Sequence, residues 1–244
     1  MPHRHATEKP CVLILGASKG LGLEIAKETV RRSMIAVCVS RSQPDTFAWA
    51  DKDRVWRQAD IADPAAAFDI LKLHREFPIT HVFWVAGIHR KGPIRDANYE
   101  DVGVMTRTHF TGPVNILRAC FRNAWRSPIH LVTVASTSSY RMRENETLYC
   151  ALKAAKAHFT RNFAAELARD LPGSRTLLVN PGGMRTDFLK GFADVSNWMD
   201  PAVVAKIIWD RVAAQTKIFE EINLLRQPDG SAKVVEGPQT PETP

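Results

Sequence analysis

The chain has 244 residues, 45% of them hydrophobic and 24% charged, with a formal net charge of +7. That length and balance allow one sizeable buried core and exclude a disordered or fibrous chain. No apolar run reaches a membrane span and no dense Lys/Arg run points to nucleic acid, so neither is an expected partner; the excess of cations attracts an anionic ligand such as a dinucleotide phosphate, or is simply a basic surface.

Residues 1–9 are polar and are expected to be disordered. The apolar run that follows, Cys11–Leu15, is too short for a signal-peptide core, which implies a cytoplasmic protein. From there short apolar runs alternate with longer helical patterns. Strands are expected at Cys11–Gly16, Ile35–Ser40, Arg54–Gln58, His81–Ala86, Ile129–Ala135, Arg175–Asn180 and about Ile218–Leu225. Helices are expected at Leu21–Arg32, Pro64–Arg75, about Asn98–Trp125, Leu148–Asp170 and Pro201–Gln215. Val/Ile/Leu-rich strands without polar alternation suit parallel pairing covered on both faces. The β-α-β order therefore predicts an α/β fold: a doubly wound, mostly parallel sheet of about seven strands, Rossmann-type, with helices on both faces. Residues 10–230 read as a single domain and residues 231–244 as a polar, Pro-rich tail. The four cysteines, Cys11, Cys38, Cys120 and Cys150, lie in apolar segments without C-x-x-C spacing. They read as buried reduced thiols, with neither disulfides nor a metal site.

Three groups of residues carry chemistry. Gly16-Ala17-Ser18-Lys19-Gly20-Leu21-Gly22 joins the first strand to the first helix. Glycines there permit a tight turn and close backbone approach to a pyrophosphate, and the helix N-terminus offers unpaired N–H groups. Gly16, Ser18, Lys19, Gly20, Leu21 and Gly22 are thus candidate phosphate binders, although a glycine turn also serves tight packing alone. The second strand ends Val39-Ser40-Arg41-Ser42, without the acid that binds a ribose hydroxyl in NAD sites. Arg41, with Lys19, is placed to pair with a 2′-phosphate, or both are ordinary surface cations. Tyr149 and Lys153 lie four apart on one helix face. An ammonium beside a phenol favours the phenolate and lowers its pKa, which makes Tyr149 a candidate general acid/base. Ser136, at the end of the fifth strand, is placed to orient a carbonyl; Thr137, Ser138 and Ser139 share its position, and a turn-capping role remains open for all four.

Together these motifs resemble the short-chain dehydrogenase/reductase family of the compact, single-domain kind. The resemblance runs from Cys11 to about Gly230 through Gly16-x-x-x-Gly20-x-Gly22, Asp60, Ala86-Gly87, Ser136, Tyr149-x-x-x-Lys153 and Pro181-Gly182-x-x-x-Thr186. It implies a hydride-transferring oxidoreductase acting on a small carbonyl or alcohol, and Arg41, Lys19 and the missing acid near Ser40 point to NADP(H) in preference to NAD(H). It assigns Asp60, with Ile61 beside it, to the adenine and Ala86 and Gly87 to the cofactor trench. Ser136 would orient the carbonyl, Tyr149 donate the proton, Lys153 also hold the nicotinamide ribose, and Pro181, Gly182 and Thr186 hold the nicotinamide end. It further implies a homodimer or homotetramer formed by the Tyr149 helix and the preceding long helix. The chain departs from the pattern twice. Trp84-Val85 replaces two asparagines, which should weaken local hydrogen bonds. His109 stands where the family has an asparagine that anchors a relay water, and it either preserves that relay or slows turnover. Low turnover would make the protein an NADP(H)-binding sensor or scaffold. A nucleotide-sugar epimerase shares the Tyr-x-x-x-Lys pair but has another glycine spacing and a longer C-terminal domain. Phe188, Phe192, Trp198 and Met199 form a lid over the substrate or pack on the core. Arg90, Lys91, Arg95, Arg141 and Arg143 face an anionic substrate or are solvated.

Overall fold

Alternation along β1 (Cys11–Leu15) organises the molecule, because every residue of this strand is buried. Successive side chains of a strand point to opposite faces. Val12 and Ile14 join one core cluster and Leu13 and Leu15 another. The computed structural model describes residues 9–44, 52–189, 195 and 197–239. Its elements run β1, α1 (Gly20–Arg31), β2 (Ile35–Ser40), β3 (Arg54–Gln58), α2 (Ala66–Glu76), β4 (Ile79–Trp84) and α3 (Tyr99–Thr106). They continue α4 (Gly112–Asn123), β5 (His130–Val134), α5 (Thr147–Asp170), β6 (Arg175–Pro181), α6 (Pro201–Ala214), β7 (Phe219–Arg226) and β8 (Ala232–Glu236).

The strands form a single sheet in the order β3-β2-β1-β4-β5-β6-β7-β8. The strand order reverses beside β1, where chain order runs outward in both directions, and in doubly wound sheets ligands bind at such a point, outside the carboxyl ends. On one face Ile25 and Ala26 of α1 and Val204, Ile208 and Trp209 of α6 cover the sheet. On the other Ile70 and Leu73 of α2, Ile116 and Leu117 of α4 and Phe163 and Leu167 of α5 do so. The expected α/β architecture holds, with one addition. Within the stretch read as a polar tail, Ala232–Glu236 pairs antiparallel with β7 and makes an eighth strand. The reason is a turn: Asp229 Oδ1 accepts from Ser231 N at 2.9 Å and Gly230 has φ +80°, so the chain doubles back as a hairpin. Of the disorder expected over residues 1–9, Lys9 is described and its Nζ pairs with Asp53 at 2.6 Å, while residues 1–8, like residues 240–244, lie outside the described residues.

The long helix expected over Asn98–Trp125 is interrupted. Residues Arg107–Thr111 form a π-helical turn between α3 and α4. Pro113 supplies the cause, since it lacks the N–H that an α-helix would direct to the carbonyl of His109. Cys11, Cys38 and Cys120 are buried, whereas Cys150 is only half-buried.

Candidate functional site

The carboxyl edge of the sheet opens into one cavity of about 750 Å³. Nearly every residue singled out from the sequence lines it: Gly16, Ser18, Lys19, Gly20, Leu21 and Gly22 from the first turn, Arg41 after β2, and Asp60 and Ile61 after β3. Ala86 and Gly87 follow β4, and Ser136, Tyr149, Lys153, Pro181, Gly182 and Thr186 complete the wall. His109 does not line it; it is wholly buried behind Gly87.

The glycine turn is shaped by close approach. A Cβ on Gly16, which has φ +97°, would lie 2.7 Å from the Ala86 Cα, and one on Gly22 would lie 2.0 Å from the Gly16 carbonyl oxygen. The Gly16 N–H is taken up by the Val39 carbonyl at 2.9 Å. Lys19, the N-cap of α1, makes no side-chain capping bond, and no acid lies in the first turn. By contrast Asp200 caps α6, accepting from Ala202 N at 2.7 Å. The N-terminus of α1 therefore keeps its positive end and its N–H groups for an anion in the cavity. At the tip of β2, Ser40 Oγ donates to the Ser42 carbonyl at 2.8 Å and accepts from Trp56 Nε1 at 3.1 Å. Among the described residues the strand tip carries no carboxylate, and the exposed Arg41 follows. These residues fit a dinucleotide.

At the other end Ser136, Tyr149 and Lys153 converge. Ser136 Oγ accepts from Ser138 N at 3.1 Å and lies 3.5 Å from the Pro181 carbonyl oxygen, so it caps its turn and also faces Tyr149. Lys153 Nζ lies 3.5 Å from the Val134 carbonyl oxygen and 5.5 Å from the Tyr149 ring centre. The expected depression of the Tyr149 pKa by Lys153 is not what the structure gives. Burial holds the phenol above the ordinary tyrosine value, with the Ser136 hydrogen bond pulling the other way. Burial also brings Lys153 down from 10.5 to about 7, so near neutral pH the amine carries only part of a charge with which to act on the phenol.

Both departures from the family pattern acquire a physical setting. His109 Nε2 lies 2.5 Å from the Ile88 carbonyl oxygen and 3.0 Å from the Ile88 N, a contact to the chain just beyond Gly87. Its Nδ1 is buried with no hydrogen-bond partner among the described residues. The ring meets Tyr149 edge-on, with centroids 5.6 Å apart. Burial and the Lys153 charge hold the imidazole well below its usual pKa. Behind Trp84, Lys156 is fully buried; its Nζ donates to the Trp84 carbonyl at 3.1 Å and the Ala86 carbonyl at 3.5 Å and sits 4.3 Å from the Trp84 ring centre. The lysine thus ties down the chain end that the missing asparagines were expected to leave loose.

Sequence reasoning passed over Lys156, which shares a helix face with Lys153 at i+3, and also His89 and Glu146, which belong to no motif. His89 and Glu146 line the cavity, with His89 Nε2 3.5 Å from Glu146 Oε2. The two readings of the aromatic segment divide: Phe188 and Trp198 line the cavity, Met199 is 1% exposed in the core, and Phe192 lies outside the described residues. Arg141 and Arg143 line the cavity too, whereas Arg90 pairs with Asp101 and Arg95 with Asp96.

A doubly wound sheet with a glycine turn and a Ser–Tyr–Lys cluster at its carboxyl edge is the architecture of a Rossmann-type oxidoreductase. The chain belongs to the short chain dehydrogenase family, whose model matches residues 10–196. It is 26% identical over 232 residues to the L-xylulose reductase of Caenorhabditis elegans, covering 91% of this chain and 88% of that one. Among solved structures, the 3-ketoacyl-(acyl-carrier-protein) reductase of Brucella melitensis complexed with NADH superposes with a TM-score of 0.76 at 19% identity, covering 88% of this chain and 96% of that one. ElxO with NADP bound superposes with a TM-score of 0.77 at 21% identity and the same coverage.

Proposed function

We propose that the protein is an NADP(H)-dependent reductase or dehydrogenase of a small carbonyl or alcohol. The observation that carries this reading is the meeting of Ser136, Tyr149 and Lys153 in the same cavity as the anion-ready turn of α1. Gly16, Ser18, Lys19, Gly20, Leu21 and Gly22 would hold the phosphates, Arg41 and Lys19 the ribose 2′-phosphate, and Asp60 and Ile61 the adenine side. Ala86, Gly87, Pro181, Gly182 and Thr186 would form the trench toward the nicotinamide. When bound, the cofactor supplies or accepts the hydride.

In reduction Ser136 Oγ hydrogen-bonds the substrate carbonyl oxygen and favours the negative charge that grows there. Tyr149 gives its phenolic proton to that oxygen. Its raised pKa keeps the phenol protonated until the oxygen becomes basic enough to take the proton. Lys153 then returns a proton to the phenolate, a transfer to which its pKa of about 7 is suited. His109, packed edge-on against Tyr149, holds the ring and the Ile88 backbone in place of the family asparagine.

The test is NADPH oxidation against a panel of aldehydes and ketones, with cofactor binding measured separately. Tyr149→Phe is expected to lower turnover by about 10²–10⁴-fold while leaving NADPH affinity nearly intact. Retention of most of the turnover would remove Tyr149 from its role. The buried, unpartnered His109 Nδ1 favours a second reading, a cofactor-binding sensor without turnover; it predicts NADPH binding with no carbonyl reduced by the wild type.

A further inference from the structure

Three pieces of chain supply the Ser–Tyr–Lys cluster and its surroundings: α5, the turn after β5 and the end of β6. One buried carboxylate, Glu221 of β7, connects all three. Its side chain is 1% exposed, and Arg161 of α5 reaches it with two bonds, Nε to Oε2 at 2.9 Å and Nη2 to Oε1 at 2.7 Å. Oε1 also accepts from Asn180 Nδ2 at 2.8 Å, and Asn180 is the wholly buried residue before Pro181. Asn180 Oδ1 in turn accepts from Ser139 Oγ at 3.3 Å. Ser139 closes the short turn that Ser136 caps, its N–H donating to the Ser136 carbonyl at 2.9 Å. Asn180 Nδ2 also lies 3.2 Å from Asn223 Oδ1, and Asn223 Nδ2 donates to the Gly237 carbonyl at 2.7 Å, so the network runs on into the chain after β8.

We propose that Glu221, with Arg161 and Asn180, is a positioning residue for Ser136, fixing the turn that carries its hydroxyl against β6 and α5. The inference rests on Ser136 being a group that meets the carbonyl oxygen. Arg161, Asn180 and Glu221 stand behind the cavity wall rather than in it, so they act on the reaction only through what they hold. A buried ion pair is a poor means of adding stability, because apolar residues of similar volume often do as well or better. What the pair supplies is direction. A guanidinium bonded at both ends to one carboxylate, and an amide with its donors and acceptor engaged, accept few relative placements of the backbones that carry them. Ser136 is gripped from both sides by these backbones: Ser139 closes its turn, and the Pro181 carbonyl, next in the chain after Asn180, lies 3.5 Å from its Oγ. A shift of Asn180 would therefore move the Ser136 hydroxyl relative to Tyr149.

Arg161→Met combined with Glu221→Leu exchanges the ion pair for apolar side chains of similar size. Thermal melts and NADPH titration should show a folded protein whose cofactor affinity is nearly intact. With NADPH and the aldehyde or ketone that the wild type reduces fastest, kcat should fall by about 10–10²-fold, the cost of a small misplacement. In a Ser136→Ala background the same exchange should cost less than about twofold, because the hydroxyl to be placed is gone. The same fold-loss in both backgrounds, or an unchanged kcat in the first, would overturn the role. If the double variant does not fold, Glu221→Gln carries the same comparison: it keeps the shape and the acceptor for Asn180 and removes the charge that holds Arg161. Hydrogen exchange reads the turn apart from turnover. The Ser138 and Ser139 amides, which bond Ser136, should exchange at least about tenfold faster on loss of the pair, while those of β1 keep their rate. If no carbonyl is reduced, the reductase reading fails by itself. The exchange then decides the positioning of the turn, supporting it if the two amides quicken and overturning it if they do not.

Discussion

At the scale of single residues the site is a set of mutual accommodations, and Gly87 and His109 form one of them. A Cβ on Gly87 would lie 2.6 Å from His109 Cε1, so the histidine needs a glycine opposite it. Gly87→Ala should therefore displace the imidazole and destabilise the fold by about 1–3 kcal/mol, the usual cost of overpacking. Adding His109→Asn should recover part of that loss by removing ring volume. Urea denaturation of the two single variants and the double measures the coupling, and additive losses would show that the ring and the glycine are independent. A second residue-scale expectation concerns Arg41, which lines the cavity where β2 ends without an acid. Titration should give tighter binding of NADPH than NADH, and Arg41→Asp should erase or reverse that order. Equal affinities in the wild type would refute the assignment. Motif residues such as Ser136, Tyr149 and Lys153 were legible because they sit at strand ends or share a helix face. Lys156, His89 and Glu146 were not, because only packing distinguishes a buried cation or a cavity-facing pair from surface charges.

At the scale of elements, strands such as β1 and β2 were legible because they are continuous apolar runs with turn residues between them, whereas β3 (RVWRQ) and β7 (FEEINLLR) were legible by their place in the β-α-β order. β8 escaped because it is a half-exposed edge strand, AKVVE, within a polar stretch, yet Asp229-Gly230 before it is a recognised hairpin signal. The break between α3 and α4 also had its mark in Pro113. α5 buries one apolar stripe, and its alanines are the residues small enough to lie against a second copy. Phe163 and Leu167 are buried in the cluster beneath the sheet with Phe159 half-buried against it, and Leu152 is buried in a separate cluster with Met105 and Tyr149. Ala157, however, is 1% exposed and packs with Ala135 and Leu178, because the sheet lies directly beneath it. The outward alanines are Ala151, which is exposed, and Ala154 and Ala155, which are half-buried. If copies pair through this helix, the substitution that separates them is Ala154→Trp, since Ala157→Trp would damage the core. Light scattering should give a dimer or tetramer mass for the wild type and a smaller one for Ala154→Trp. A monomer mass at tens of micromolar would end the assembly proposal.

At the scale of the whole molecule, folding buries groups that prefer to be charged, and stability must follow pH. Burial lowers His74 and His81 from 6.5 to about 4, with the neighbouring His130 adding to the lowering of His81. His81 and His130 are stacked at 5.5 Å, so protonation would bring like charges together. Between pH 6.5 and 4 the unfolded chain takes up protons at these positions and the folded chain does not, so stability falls as the pH falls. Lys153, lowered from 10.5 to about 7, contributes a stability that grows as the pH rises between those two values, by the same reasoning. Cys38 and Cys120 act in the opposite direction: burial raises them from 9.0 to about 12, so the unfolded chain loses their protons first and stability falls above pH 9. The balance places greatest stability on the alkaline side of neutrality. Each tenfold difference in proton affinity between the folded and unfolded chain is worth about 1.4 kcal/mol, so acidification through the His81 window costs on the order of 3 kcal/mol. Thermal melts from pH 8 down to pH 4 should show Tm falling steadily below about pH 6.5, and His81→Phe should flatten the slope. A Tm at pH 5 equal to that at pH 7 would mean that the buried histidines reach water in the native state and that the closed packing of His81 against Trp209 and His130 does not hold in solution.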